Sequence, residues 1–168
     1  IIAGQATAAV ELLEQAGPLD AVITPVGGGG LLSGTALAVA ALCPATKVFG
    51  AEPRNADDAF RSLREGCILP SVNPDTIADG LRSSLGRLTF PIIQEHVASI
   101  LLAGEPGIID AMRLVWLRMK LLIEPSAAVP VACVLADPKP FAGQRVGIIL
   151  SGGNIDLDKL PWVESRQK

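Results

Sequence analysis

The sequence predicts an α/β domain built on a parallel sheet, and three observations carry that expectation. Short apolar runs of strand length alternate with longer helical runs along the chain. The first unit, with apolar residues 21–23, a helical run 31–42 and a second apolar run 47–51, has the strand–helix–strand spacing of a βαβ crossover. Two glycine turns, Gly27-Gly28-Gly29-Gly30 and Ser151-Gly152-Gly153-Asn154, each follow directly on a strand-like run, where such sheets bind ligands. Of the 168 residues, 49% are apolar and 18% charged, which suffices for one domain with a sizeable core.

The elements follow in order. Residues 5–15 read as an amphipathic helix with Val10 and Leu13 on its apolar face, stopped by Gly17-Pro18. Residues 20–25 form a buried strand, and the helix 31–42 beyond the glycines ends before Pro44. After the strand 47–51, residues 57–65 are helical, and 66–74 are loop, with Pro70 and Pro74 as breakers. The stretch 76–81 is rich in turns. A helix opens at Pro91, a favourable first position, and runs to His96. Residues 99–102 are a third strand. A long helix over 107–122 presents Ile109, Met112, Val115, Trp116 and Met119 as its core stripe. Glu124-Pro125-Ser126 breaks the chain and caps the helix 127–135, in which Pro130 implies a kink or a late start. Residues 144–150 are the fourth strand.

Composition narrows the function. The net charge is -3 with no basic run, which argues against nucleic acid and anionic membrane as partners. No apolar run has the length of a bilayer span, and the start does not read as a signal peptide. Cys43, Cys67 and Cys133 are odd in number and far apart, as free thiols in a reducing, cytoplasmic compartment would be. His96 stands without a second metal ligand nearby and receives no role.

Four consecutive glycines between a strand and a helix exceed what a plain turn needs. Successive N–H groups without Cβ atoms can curl around one phosphate, beside the positive end of the helix. No Lys-Ser/Thr follows them, so the nucleotide-hydrolysing loop is not matched, and the spaced glycines of a dinucleotide fold are missing too. A small phosphorylated cofactor fits better. Ser151 offers a hydroxyl at another strand end, able to meet a ring nitrogen. In Glu52-Pro53-Arg54-Asn55-Ala56-Asp57-Asp58 two readings stand. Glu52, Asp58 and an intervening carbonyl could hold a hard divalent cation with water. More ordinarily, Glu52 ends a strand and the Asp pair opens a helix.

Taken in order, IAGQ (2–5), PVGGGGLLSG (25–34), AEPRNADD (51–58), TIADGLRSS (76–84), VWLRMKLLIEPSA (115–127) and ILSGGNIDL (149–157) span nearly the whole chain. On these motifs the chain resembles the C-terminal half of the serine racemase and serine/threonine dehydratase family. These are pyridoxal-phosphate (PLP) enzymes of fold type II, the tryptophan synthase β-like group. The resemblance implies that residues 1–168 form part of a three-layer, parallel-sheet large domain. It implies that Gly27, Gly28, Gly29, Gly30 and Leu31 hold the cofactor phosphate, that Gly80 lines the cofactor, and that Ser151 meets its pyridine nitrogen. A neutral hydroxyl there weakens the ring as an electron sink and favours reprotonation or β-elimination over transamination. It implies a Mg²⁺ (or Mn²⁺, Ca²⁺) site of Glu52, the Ala56 carbonyl and Asp58, which tips the cation reading over the ordinary one. Lys120 and Asn154 match positions that bind allosteric ATP between subunits, and a homodimer is implied.

The implied substrate is a small amino acid. L-serine would lose its α-proton and regain it on the other face, giving D-serine, or lose its β-hydroxyl, giving pyruvate and ammonia. The chain departs from the family in one respect. The S-x-K-x-R-G-type motif bearing the Schiff-base lysine, the opposite-face serine and the small domain belong to the N-terminal half, and none is found here. The chain starts without Met, as a fragment would, and no catalytic residue is assigned in it. Residues 1–168 alone are therefore expected to be inactive. A threonine dehydratase is the nearest alternative, although no regulatory domain follows the last motif. A non-catalytic cofactor-binding remnant is the alternative from another class.

Overall fold

The structure, a computed structural model, describes residues 1–162. Helix α1 (Ile2–Ala16) leads into strand β1 (Ala21–Pro25), helix α2 (Gly30–Leu42) and strand β2 (Lys47–Pro53). A 3₁₀ turn (Arg54–Ala56) joins β2 to α3 (Asp58–Glu65). Then come α4 (Thr89–His96), β3 (Ser99–Ala103), α5 (Glu105–Met119), α6 (Pro125–Ala136) and β4 (Val146–Ile148). The four strands form one sheet in the order β3-β2-β1-β4, and every pair is parallel. The expected α/β fold with a partial three-layer parallel sheet is thus the observed one.

Burial explains the layers. All five β1 residues are buried, as a central parallel strand covered on both faces must be. Ala21 and Ile23 face a core of α5 and α6 side chains that includes Met112, Ala128 and Val129. Val22 faces the opposite core, built from Leu13, Leu32, Val39, Phe90 and Ile93 of α1, α2 and α4. Because the strands run parallel, their carboxyl ends share one edge of the sheet. Three motifs meet there: the glycine loop after β1, Glu52 near the end of β2 and Ser151 after β4. No described helix is long and apolar enough to cross a membrane.

Several expectations need correcting. Strand β4 covers three residues, not seven, although Ile149 N–H still donates to Ile23 O at 3.0 Å. Helix α4 starts at Thr89, two residues before Pro91. Helix α5 ends at Met119 rather than Leu122, because Lys120 turns left-handed with φ 58. Its buried face is Ile108, Ala111, Met112 and Val115, and Met119 is 58% exposed. The stripe is displaced at its end because α6 and the sheet, which sequence spacing does not locate, decide which face is covered. Helix α6 starts at Pro125 and runs unbroken through Pro130.

Candidate cofactor and cation sites

The glycine loop is an open set of donors. Val26 N–H closes the strand by donating to Ala51 O. The Gly27, Gly28 and Gly29 amides donate to no group among the described residues. Gly29, the residue before α2, is left-handed with φ 84, and its carbonyl accepts from Ser33 N–H at 2.9 Å. Gly30 and Leu31 then open α2, where first-turn N–H groups have no helical partner. These residues fit a phosphate: several free N–H groups, no Cβ atoms in the loop and a helix N-terminus behind them.

The other predicted cofactor residues gather around this loop. A Cβ on Gly27 would stand 3.0 Å from Gly80 O and 3.1 Å from Ser83 Oγ, so the Gly80 turn lies directly over the loop. Gly80 N–H donates to the buried Ser126 Oγ at 3.2 Å. Ser126 therefore sits inside the first turn of α6 as a support for Gly80, not as the expected helix cap. Glu124 precedes α6 and ties it to the second glycine turn. Its N–H donates to Gly152 O at 3.1 Å, and its Oε2 accepts from Asn154 N–H at 2.8 Å. A Cβ on Gly152 would stand 2.9 Å from Glu124 Oε1, so the Glu124 carboxylate lies directly against this turn. Ser151 is exposed three residues beyond the Ile23–Ile148 pair, and Gly27 lies four residues beyond Ile23.

The cation motif assembles differently. Glu52 is 1% exposed, and its two oxygens accept Ala59 and Phe60 N–H at 2.9 Å each. It thus caps α3 from the end of β2, a role neither reading of the sequence assigned to it, while Asp58 opens the helix as the ordinary reading held. Each carboxylate oxygen keeps a further lone pair. Burial, opposed by those two hydrogen bonds, pushes its pKa up to about 8. Asp58 is fully buried, and neither oxygen has a hydrogen-bond partner. Burial raises its pKa, and the nearby Ser71 hydroxyl opposes that shift without making an aligned hydrogen bond. Orphaned, buried carboxylate oxygens are costly, and they are the atoms a hard divalent cation would satisfy. Ala56 is buried at the end of the intervening turn. No three acidic, histidine or cysteine side chains converge among the described residues. A cation here would rest on Glu52, Asp58, a carbonyl and water.

Lys120 and Asn154 are not brought into one pocket. Lys120 lines a cavity of about 240 Å³ with Trp116, Leu121 and Leu122. Asn154 lines another, of about 360 Å³, with Asp79, Arg82 and Lys159. Sequence reading missed Glu124 and Thr89, whose partners lie 30 and 61 residues away. No local pattern announces such pairs.

The family model for "Pyridoxal-phosphate dependent enzyme" matches residues 1–152. The chain is 51% identical over 162 residues to the β-hydroxyaspartate dehydratase of Paracoccus denitrificans, covering 96% of this chain and 51% of that protein. It is 52% identical over 166 residues to the serine racemase of Dictyostelium discoideum, covering 95% and 51%. Among solved structures, the serine racemase of maize superposes with a TM-score of 0.89 at 41% identity, covering 93% of this chain and 49% of that one. The chain spans about half the length of the curated relatives it matches. With the glycine loop, the Gly80 turn and Ser151 set on one sheet edge, this chain belongs to the family of pyridoxal-phosphate dependent enzymes.

Proposed function

We propose that this chain supplies the phosphate, ring-nitrogen and cation sites of an enzyme that racemises L-serine and eliminates its hydroxyl to give pyruvate and ammonia. The observation that carries this reading is the glycine loop, with its unpaired N–H groups under the Gly80 turn. When bound, pyridoxal phosphate supplies the electron sink that makes the α-proton of an amino acid acidic. The residues of this chain do the rest of the holding. Gly27 to Gly30 and Leu31 bind the phosphate, Gly80 covers the ring, and Ser151 presents a neutral hydroxyl to the ring nitrogen. Proton transfer is assigned to no residue here, because no lysine of this chain stands in the motif that the chemistry requires.

Glu52, the Ala56 carbonyl and Asp58 hold a divalent cation, with Mg²⁺ the first candidate. The two orphaned Asp58 oxygens support this. The active form is a homodimer in the cytoplasm, and Lys120 and Asn154 face an allosteric ATP.

The similarity to a β-hydroxyaspartate dehydratase, at an identity equal within a point to that of the racemase, favours one further reading. In it the substrate carries a second carboxylate and elimination is the main reaction. The full-length gene product separates the two. Incubated with L-serine, it should release D-serine together with pyruvate. Keto acid from L-threo-3-hydroxyaspartate with no D-serine from L-serine would establish the second reading, and no absorbance of bound pyridoxal phosphate would sink both.

A further inference from the structure

One buried hydroxyl stands behind the glycine loop and bonds its Gly28 carbonyl. Thr89, the first residue of α4, is 8% exposed. Its Oγ1 lies 2.8 Å from Gly28 O and 3.0 Å from Gly86 O, and it accepts Gly86 N–H at 3.0 Å. A hydroxyl has one proton, so the two carbonyls share it. Gly86 N–H also reaches Gly28 O at 3.2 Å. The Thr89 backbone is itself held to α2, since Ser33 Oγ donates to Thr89 O at 3.3 Å. The fit is close: a Cβ on Gly29 would stand 2.8 Å from Thr89 Oγ1 and 2.9 Å from Thr89 Cβ.

A trans peptide is planar, so a carbonyl and the N–H of the next residue point in opposite directions. Drawing Gly28 O toward Thr89 therefore turns Gly29 N–H away from Thr89, to the side where no described protein group accepts it. Gly29 O is drawn into α2 by Ser33 N–H, which turns Gly30 N–H outward from the helix end by the same rule. Two neighbouring N–H groups on either side of a left-handed residue make an anion-binding concavity.

We infer that Thr89 is a positioning residue of the phosphate cradle: its hydroxyl, 61 residues along the chain from Gly28, fixes the Gly29 amide and so strengthens the preference for a phosphorylated cofactor over its unphosphorylated form. The inference rests on the cofactor reading above. Valine at this position keeps the shape and removes the hydroxyl, and serine keeps the hydroxyl.

The test uses the full-length gene product stripped of cofactor, as wild type, T89V and T89S. Affinities for pyridoxal phosphate and for pyridoxal, which lacks the phosphate, are measured by absorbance and fluorescence quenching. T89V should weaken pyridoxal phosphate about 30-fold and pyridoxal less than about threefold, and T89S should stay within about threefold of wild type for both. The phosphorus resonance of the bound cofactor should move in T89V and hold in T89S. Equal weakening of both ligands by T89V, or a T89S that behaves like T89V, would overturn the inference. If T89V does not fold, S33A, which releases the Thr89 carbonyl from α2, must lower the affinity ratio at least about threefold or the inference fails. A wild-type protein that binds neither ligand would overturn the cofactor reading itself, and this inference with it.

Discussion

Asp58 and Glu52 are buried carboxylates with opposite solutions to burial. Glu52 accepts two backbone N–H groups, and Asp58 accepts none. Both have pKa values raised by burial, Glu52 from 4.5 to about 8. A carboxylate whose pKa rises on folding binds its proton more tightly in the native state. Its stabilising effect is complete below the unfolded value and is lost as pH rises through the folded value. Without divalent cation, the melting temperature should therefore fall between about pH 4.5 and 8, with Glu52 contributing at most about 5 kcal/mol across that window. On the proposed cation reading, Mg²⁺ would take the place of the proton and should flatten the fall. Asp58→Asn should abolish the Mg²⁺ effect, since it removes the charge of the orphaned carboxylate. Thermal scans at several pH values with and without Mg²⁺ decide this. An equal Mg²⁺ stabilisation of wild type and variant would remove Asp58 from the site.

At the scale of elements, two helices are placed by distant partners rather than by their own pattern. Helix α6 is tied to the Ser151 turn through Glu124, whose side chain and backbone both bond residues 152–154. Glu124→Ala should weaken the cofactor about tenfold and change its fluorescence, because the turn proposed to present Ser151 to the ring nitrogen loses its anchor, while Glu124→Gln retains an acceptor and most of the affinity. Equal losses in the two variants would mean that the charge, not the hydrogen bond, matters. Helix α5 tests the revised register. Met112 is fully buried and Met119 is exposed. Met112→Ala should cost about 2–5 kcal/mol in denaturant unfolding and Met119→Ala less than about 0.5 kcal/mol. Similar costs would restore the stripe read from sequence, in which both residues faced the core. That stripe held at Met112, Val115 and Trp116 and failed at its end, because Met119 is as apolar as its buried neighbours. The positions of α6 and the sheet distinguish the faces, and the Trp116 indole, which donates to Ile123 O at 2.9 Å, packs on the covered side.

In the molecule as a whole, the glycine loop, Glu52 and Ser151 gather on one edge of a parallel sheet, and no lysine of this sequence stands in the Schiff-base motif of the family it resembles. The 168-residue chain alone should form neither D-serine nor pyruvate from L-serine. Sustained turnover by the pure chain, measured by chiral chromatography and a coupled keto-acid assay, would require a catalytic residue within it. The sequence by itself determined the strand-and-helix order, the parallel sheet and the glycine loop between β1 and α2. Those features are local, because periodicity selects the element and a run of glycines after a strand marks the turn into the helix. Only the tertiary structure decided that Thr89 stands behind the glycine loop, that Glu124 anchors the Ser151 turn and that Asp58 lacks a partner. Each of these depends on groups brought together from distant segments or kept apart by packing, and hydrogen bonds across 30 or 61 residues leave no periodic trace in the chain that makes them.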